Sequence, residues 1–162
     1  MKVIFLDFDG VVRIPVPSGG MKPEAEFCSE RIQRVVRLAE ICNALIVISS
    51  DWRLRYDQSE ITKVLGKRFP TELLHKHWAT PVLAYEAEAG EKSRIVPRGA
   101  EIVAWLAEHP EFKDFVILDD MHSRLFPTMT DRLVKCQLLD GFTNERFTTA
   151  CKMLVRSGAE VE

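Results

Sequence analysis

Residues 3–12 read VIFLDFDGVV, and this stretch decides the fold. Its first four residues form a short, continuous apolar run, which is typical of a strand buried on both faces of a parallel sheet. Asp7 and Asp9 follow that run directly, and residues two apart in an extended segment point to the same side. Gly10 then allows the chain to turn sharply away. The stretch therefore predicts a buried strand that ends in two neighbouring carboxylates.

Two further apolar runs, LIVI and FVIL, end in polar residues in the same way. Ser49 and Ser50 follow the first run, and Asp119 and Asp120 follow the second. Ligands of parallel sheets bind beyond the carboxyl ends of the strands. We therefore expect these side chains to converge with Asp7 at one edge of the sheet.

The segments between these strands predict helices and a loop. Residues 10–20 are rich in proline and glycine and predict a loop or flap. The alternation of strands and helices predicts an α/β fold, a Rossmann-like three-layer sandwich with a central, mainly parallel sheet. We expect residues 1–162 to form a single domain without a sizeable cap domain. Four helices are predicted, at about residues 24–42, 58–65, 99–108 and 143–155. A last strand is predicted at about residues 133–138.

The overall composition is that of an ordinary globular protein. The chain has 162 residues, of which 46% are hydrophobic and 28% charged, and its formal net charge is −2. The chain lacks the excess of basic residues that would indicate a nucleic-acid partner, although a balanced total can contain a local basic patch. No apolar stretch is long enough to span a bilayer, and the four cysteines form no C-x-x-C pair. We expect a cytoplasmic protein with no membrane association, and the oligomeric state is left open.

The acidic residues at the predicted sheet edge suit phosphate chemistry. Two acids held close together raise each other's pKa, so that one can act as nucleophile or base while the other carries a proton. Asp119 and Asp120 are predicted at the same edge, and four neighbouring carboxylates repel one another unless a cation lies between them. Their oxygen ligands suit Mg²⁺. A carboxylate beside such an ion can attack phosphorus and form an aspartyl-phosphate, which water then hydrolyses.

The motifs FLDFDGVV, VISS and VILDD together resemble those of the haloacid dehalogenase-like (HAD) phosphatase superfamily. The resemblance implies that Asp7 is the nucleophile and Asp9 the general acid/base. It also implies that Mg²⁺ is held by Asp7, by the backbone carbonyl of Asp9 and by an acid of the third motif. Asp120 is the preferred ligand from that motif, with Asp119 in support.

The same resemblance implies a set of phosphate-binding residues. Ser49 is expected to hydrogen-bond the transferring phosphoryl group, with Ser50 as the second choice, and Gly10 is also assigned to phosphate binding. A basic residue near the start of the helix before the third motif would neutralise the phosphate and the nucleophile. Arg98 is the first choice for this residue and Lys92 the second.

Within the superfamily, the sequence is similar to a branch of small HAD domains linked to RNA repair proteins. The segments SSDWR, RGAEI and DGFT carry this likeness. The lack of a cap implies an open site, which admits a phosphate on a nucleic-acid end as well as a nucleotide. Trp52 and Tyr56 could stack on a base, although aromatic residues at helical spacing usually belong to the core. The basic candidates for contacts with a polynucleotide are Arg13, Arg53, Arg55, Lys67 and Arg68.

The histidines give no metal site in the sequence. His75 and His77 could bind one ion only if their segment is extended, and no third ligand is visible. Surface or hydrogen-bonded roles are therefore preferred for them. His122 follows Asp120 closely enough to contact the predicted site.

Three function hypotheses remain open at this point. The leading one is a magnesium-dependent phosphatase that acts on nucleic-acid ends or nucleotides. The alternatives are a phosphatase of small metabolites and a catalytically silent HAD-like module that binds a partner or a phosphorylated ligand. Nothing in Asp7, Asp9 or Asp120 argues for a silent module, and a side-chain cation beside Asp7 would speak against it.

Overall fold

The computed structural model describes residues 1–15, 25–83 and 96–156. Short 3₁₀ turns connect several of the strands and helices. The strands are β1 (Lys2–Leu6), β2 (Arg13–Pro15), β3 (Ala25–Phe27), β4 (Ala44–Ile48), β5 (Leu74–Ala79), β6 (Asp114–Asp119) and β7 (Leu133–Lys135). The α-helices are α1 (Ser29–Cys42), α2 (Gln58–Leu65), α3 (Arg98–Glu108) and α4 (Asn144–Arg156).

Five strands form one parallel sheet in the order β5-β4-β1-β6-β7, so β1 lies at the centre. Leu6, the last residue of β1, pairs with Ile48 on one side and with Leu118 on the other. The next residue along each strand is Asp7, Ser49 or Asp119. These three residues therefore lie side by side at the carboxyl edge of the sheet, where ligands of such folds bind.

The core has one apolar cluster on each face of the sheet. Alternate residues of β1 point to opposite faces. Ile4 and Leu6 belong to the cluster that α1, α2 and α4 cover. Val3 and Phe5 belong to the cluster that α3 covers. The three-layer α/β fold predicted from the sequence is thus confirmed, and the main sheet is parallel throughout.

The first helix begins later than the sequence predicted. The predicted helix starts near residue 24, but residues 25–27 form β3, which pairs antiparallel with β2. Phe27 in β3 packs edge-on against Phe8 and Trp52, with ring centroids 5.4 and 5.0 Å apart. This tertiary contact outweighs the helical pattern of the segment. Cys28, predicted on the buried helix face, instead precedes α1 and is half-buried.

The other boundaries agree more closely with the sequence. The bounds of α2 are those predicted, and Asn43 ends α1 in the left-handed conformation with a φ of 51°. The last strand ends at Lys135 rather than near residue 138, because the chain then turns and the N–H groups of Asp140 and Gly141 donate to the Gln137 carbonyl.

The described helices include none that could cross a membrane, since none combines the necessary length and apolar character. Strands β2 and β3 form a separate antiparallel pair. Strand β2 begins four residues after Asp9, and its first residue, Arg13, forms a bridge with Asp9, so this pair borders the predicted site.

Candidate active site

Asp7 lies at the carboxyl end of the central strand and is 4% exposed. Its carboxylate lies 2.8 Å from Nη1 of Arg98 and accepts a hydrogen bond from the Ser50 hydroxyl. Burial raises the pKa of Asp7 to about 6, and the charge of Asp119 adds to this effect. Together they outweigh the opposing influence of Arg98. A carboxyl group that titrates close to neutrality is typical of a catalytic position.

Asp7, Asp119 and Asp120 form a cluster in which one oxygen of each lies within 4.8 Å of an oxygen of the others. Asp119 is fully buried, and both of its oxygens already accept hydrogen bonds, from the Met121 N–H and from Arg98. Asp120 is half-buried. The pKa of Asp119 is raised mainly by burial, and that of Asp120 is raised by burial and by the charge of Asp7.

The cluster fits a hard divalent cation. Its donors are carboxylate oxygens, which Mg²⁺ prefers, and they repel one another unless a positive charge lies between them. Arg98 supplies a single positive charge against three carboxylates. Asp119 is fully buried and both of its oxygens already accept hydrogen bonds, so the half-buried Asp120 is the better placed of these two acids to coordinate an ion beside Asp7.

Gly10 gives the Asp120 carboxylate its space. A β-carbon at residue 10 would lie 2.4 Å from Oδ2 of Asp120. The backbone also adopts a φ of +71°, which L side chains rarely adopt. The sharp turn that the sequence predicted at Gly10 is therefore present, and its consequence is that an acid from β6 can reach the end of β1.

Arg98, the first residue of α3, is the cation at the centre of the site. Its Nη1 lies 2.8 Å from both Asp7 and Asp119, and its Nη2 lies 3.2 Å from Asp51. Burial alone would lower the pKa of Arg98, but the charges of Asp7 and Asp119 outweigh burial and raise it. The guanidinium thus stays charged although it is only 6% exposed. Lys92, the second candidate for this role, lies outside the described residues.

Two side chains orient Asp9. Nη1 of Arg13 donates to Oδ1 at 2.6 Å, and the indole Nε1 of Trp52 donates to Oδ2 at 2.9 Å. Trp52 is itself held by Phe27 and by Tyr56, which stacks on it at 5.1 Å. Unlike Asp7, the Asp9 side chain is accessible, at 47% exposure. A carboxylate fixed in this way at the border of the site can exchange protons with substrate and water.

The two serines after β4 differ in their surroundings. Ser50 contacts Asp7 through its hydroxyl. Ser49 is fully buried, and its hydroxyl has no hydrogen-bond partner within the described part of the chain. A buried hydroxyl without a partner is costly unless a ligand completes it. Ser49 therefore has a free hydrogen-bonding group, as a residue that binds a phosphoryl oxygen requires.

The structure does not bring Arg53 to the surface. Its side chain is 2% exposed, pairs with Glu101 at 2.5 Å and donates to the carbonyls of Ser49 and Ser50. The predicted contact of Arg53 with a polynucleotide is therefore wrong, because the side chain supports the serine loop from inside. His122 is exposed and accepts the Arg124 N–H, which caps the following 3₁₀ turn.

Sequence reasoning missed the partners of the acids. The four-residue spacing of Asp9 and Arg13 is a weak signal for their ion pair. The contacts of Trp52 with Asp9 and of Asp51 with Arg98 have no such signal, because each joins segments that lie 40 or more residues apart in the sequence.

A comparison with known families matches residues 3–147 to the family described as "HAD domain in Swiss Army Knife RNA repair proteins". No curated protein and no solved structure matches the chain significantly. The matched range includes both acidic strand ends, the serine loop and Arg98, and it agrees with the resemblance seen in the sequence motifs. The chain therefore belongs to the family of HAD domains found in Swiss Army Knife RNA repair proteins.

Proposed function

We propose that this domain is a magnesium-dependent phosphomonoesterase that works through an aspartyl-phosphate on Asp7. One observation carries the proposal: Asp7, Asp119 and Asp120 converge within 4.8 Å at the carboxyl edge of the sheet, with Arg98 in contact with the first two. A side-chain cation at Asp7 also speaks against the catalytically silent module.

The reaction has two steps. In the first, a carboxylate oxygen of Asp7 forms a bond to phosphorus, the bond from phosphorus to the leaving oxygen breaks, and Asp9 gives that oxygen a proton. In the second, a water oxygen forms a bond to phosphorus, the bond from phosphorus to Asp7 breaks, Asp9 takes a proton from that water, and inorganic phosphate leaves. Together the two steps return Asp7 and Asp9 to their starting forms.

Positive charge and hydrogen bonds assist both steps. Mg²⁺ bound by Asp7 and Asp120 would neutralise the charge that develops on the phosphoryl oxygens. Arg98 keeps Asp7 oriented and contributes a fixed positive charge beside it. The free hydroxyl of Ser49 would donate to a phosphoryl oxygen. The mechanism is thus distributed over the ends of three adjacent strands and the start of one helix.

The proposed substrates are phosphorylated nucleic-acid ends or nucleotides. Two observations support this choice over small metabolites. The family description refers to RNA repair proteins. In addition, Asp9 is accessible at the border of the site, and the exposed Tyr56 stacked on Trp52 offers an aromatic surface near it.

The first test is release of phosphate from a generic aryl phosphate with and without Mg²⁺. We expect turnover by the wild type, loss of turnover on chelation, and loss in Asp7→Asn. Asp131→Asn is the matched control, because Asp131 is an acid in a 3₁₀ turn with 76% of its side chain exposed. Equal turnover by Asp7→Asn and the wild type would contradict the assignment of the nucleophile.

A second series compares substrates at one enzyme concentration: RNA and DNA with a phosphate at either end, free nucleotides and sugar phosphates. A preference for polynucleotide ends or nucleotides supports the proposal. A higher kcat/KM for sugar phosphates would favour the small-metabolite phosphatase. A folded protein that binds Mg²⁺ and releases no phosphate from any of them would favour the binding module.

A further inference from the structure

Three of the four histidines of the chain meet at one point. His75 and His77 lie in β5, and His109 caps the end of α3. One ring nitrogen of each lies within 4.8 Å of a ring nitrogen of each of the others. His75 and His109 are buried and His77 is exposed, so the cluster opens to solvent on one side. The third ligand that the sequence did not show is therefore His109.

An irregularity in the edge strand places the first two histidines. Ile46 of β4 pairs with Leu74 of β5, and Ile48 of β4 pairs with Ala79 of β5. Between these two pairs β5 has more residues than β4, so β5 bulges. The extra residues include His75 and His77. Bulges of this kind re-aim side chains and are common beside functional sites. Here the bulge directs imidazoles towards the end of α3.

Trp105 holds the cluster from behind. Its indole Nε1 donates to the His77 carbonyl at 3.1 Å, and its own carbonyl lies 2.7 Å from Nδ1 of His109. A carbonyl can only accept, so Nδ1 of His109 carries the proton and Nε2 has a free lone pair. A backbone carbonyl that binds the outer ring N–H in this way is typical of a metal-ligating histidine.

The Nε2 lone pair of His109 points at His77. Nε2 of His109 lies 2.6 Å from Nδ1 of His77, so His77 supplies the proton between them in the metal-free protein. Nitrogen ligands of a tetrahedral zinc ion lie about 3.3 Å apart, so a small separation of the two rings would admit an ion. The ion would take the place of the proton on Nδ1 of His77, which can move to Nε2 of the same ring.

We propose that His75, His77 and His109 form a second metal site, for a transition-metal ion such as Zn²⁺, with its fourth position open to solvent. Imidazole nitrogen suits Zn²⁺, whereas Mg²⁺ prefers oxygen, so the ion differs from the one expected at the carboxylates. The site is independent of the proposed phosphatase function. It joins the edge strand to α3, whose first residue, Arg98, contacts Asp7, roughly 16 Å along the helix from His109.

The test is a calorimetric titration of the full chain with Zn²⁺ in excess Mg²⁺, which occupies the carboxylate site. We expect one saturable equivalent in the wild type. Removal of a group that hydrogen-bonds a metal ligand lowers metal affinity about 10- to 100-fold. His77→Ala removes a ligand itself, so we expect it to lower Zn²⁺ affinity by at least on the order of 100-fold. His77 is exposed, so this variant is expected to fold. His122→Ala removes the fourth histidine and is the matched control.

Two further measurements identify the ion's position. Zn²⁺ should raise the Tm of the wild type and of His122→Ala but not of His77→Ala, because only a bound ion stabilises the folded state. Co²⁺ in place of Zn²⁺ should give the visible absorption of a tetrahedral site in the wild type but not in His77→Ala. Unchanged Zn²⁺ affinity in His77→Ala, loss of binding in Asp120→Asn, or no saturable binding by the wild type would each overturn the proposal.

Discussion

The indole Nε1 of Trp52 donates a hydrogen bond to Oδ2 of Asp9 at 2.9 Å. The other oxygen of Asp9 is bound by Arg13, so both carboxylate oxygens accept from a donor. Each carboxylate oxygen has two lone pairs, so Oδ2 can accept from the indole and still carry a proton on its other lone pair. Trp52 therefore fixes the orientation in which Asp9 gives or takes that proton and is part of the proton-transfer geometry.

Trp52→Phe tests this relationship. Phenylalanine keeps an aromatic ring against Phe27 and Tyr56 and removes the N–H. We expect a loss in kcat of roughly tenfold, which corresponds to about 1.4 kcal/mol and to one hydrogen bond to a charged group, with a changed pH profile of kcat. Trp78→Phe, at a half-buried tryptophan outside the site, is the control. An unchanged pH profile in Trp52→Phe would show that the indole only packs.

Gly10→Ala should separate backbone strain from crowding at Asp120. Gly66 is the matched control, because it also has a positive φ but has nothing within 4 Å of an added β-carbon. Each alanine should lower the unfolding free energy by about 1–3 kcal/mol, because L side chains rarely adopt the positive φ of these positions. Only Gly10→Ala should also weaken Mg²⁺ binding, since its β-carbon would displace the Asp120 carboxylate. Urea unfolding and Mg²⁺ titration measure the two effects. Equal Mg²⁺ affinity in both variants would contradict the role given to Gly10.

Arg98→Met should destabilise the fold as well as the site. It leaves the buried carboxylates of Asp7 and Asp119 without their counter-charge, which costs about 3–5 kcal/mol for a broken buried pair. Adding Asp119→Asn should recover part of that loss, as urea unfolding would show. Arg98→Lys keeps the charge without the planar fork and should remain folded, with kcat/KM reduced roughly 100-fold. A destabilisation that Asp119→Asn does not relieve would contradict the electrostatic explanation.

The raised pKa of Asp7 predicts a pH dependence of stability in metal-free protein. The native state holds a proton up to about pH 6, whereas the unfolded state releases it near the ordinary value of 3.8. The native state thus binds more protons in this window, so the unfolding free energy falls as pH rises through it, by up to about 3 kcal/mol. The shifts of Asp119 and Asp120 act in the same direction.

Urea unfolding in EDTA at about pH 4 and about pH 8 measures most of this loss, and the slope should be smaller in Asp7→Asn. Addition of Mg²⁺ at the higher pH should restore stability, since a bound cation favours the ionised carboxylates. A wild type that becomes more stable with rising pH in EDTA would contradict the assignment.

The sequence predicted those parts of the fold that depend on local pattern. The buried strands β1, β4 and β6 read as apolar runs, and the edge where they deliver Asp7, Ser49 and Asp119 followed from parallel pairing alone. The position of Arg98 followed from the family resemblance. Whether each residue performs its predicted role is for the substitutions above to decide.

The parts that escaped prediction depend on distant contacts. The hairpin strand β3 forms because Phe27 meets Phe8 and Trp52, which its own neighbours do not reveal. Strand β5 carries lysine and histidine, bulges at the sheet edge and lacks an apolar run, so its composition does not indicate a strand. For the same reason His75 and His77 gave no sign of His109.

The order of the strands has a consequence for how the site is assembled during synthesis. β1 emerges early and pairs with β4, but its other neighbour, β6, emerges only after most of the chain. Asp119 at the end of β6 and Asp120 directly after it can therefore join Asp7 only then, and their charges repel its carboxylate. Arg98 precedes them along the chain, so the counter-charge is already available when Asp119 and Asp120 arrive. Because Arg98 precedes both acids in the sequence, its positive charge is present before Asp119 and Asp120 are synthesised.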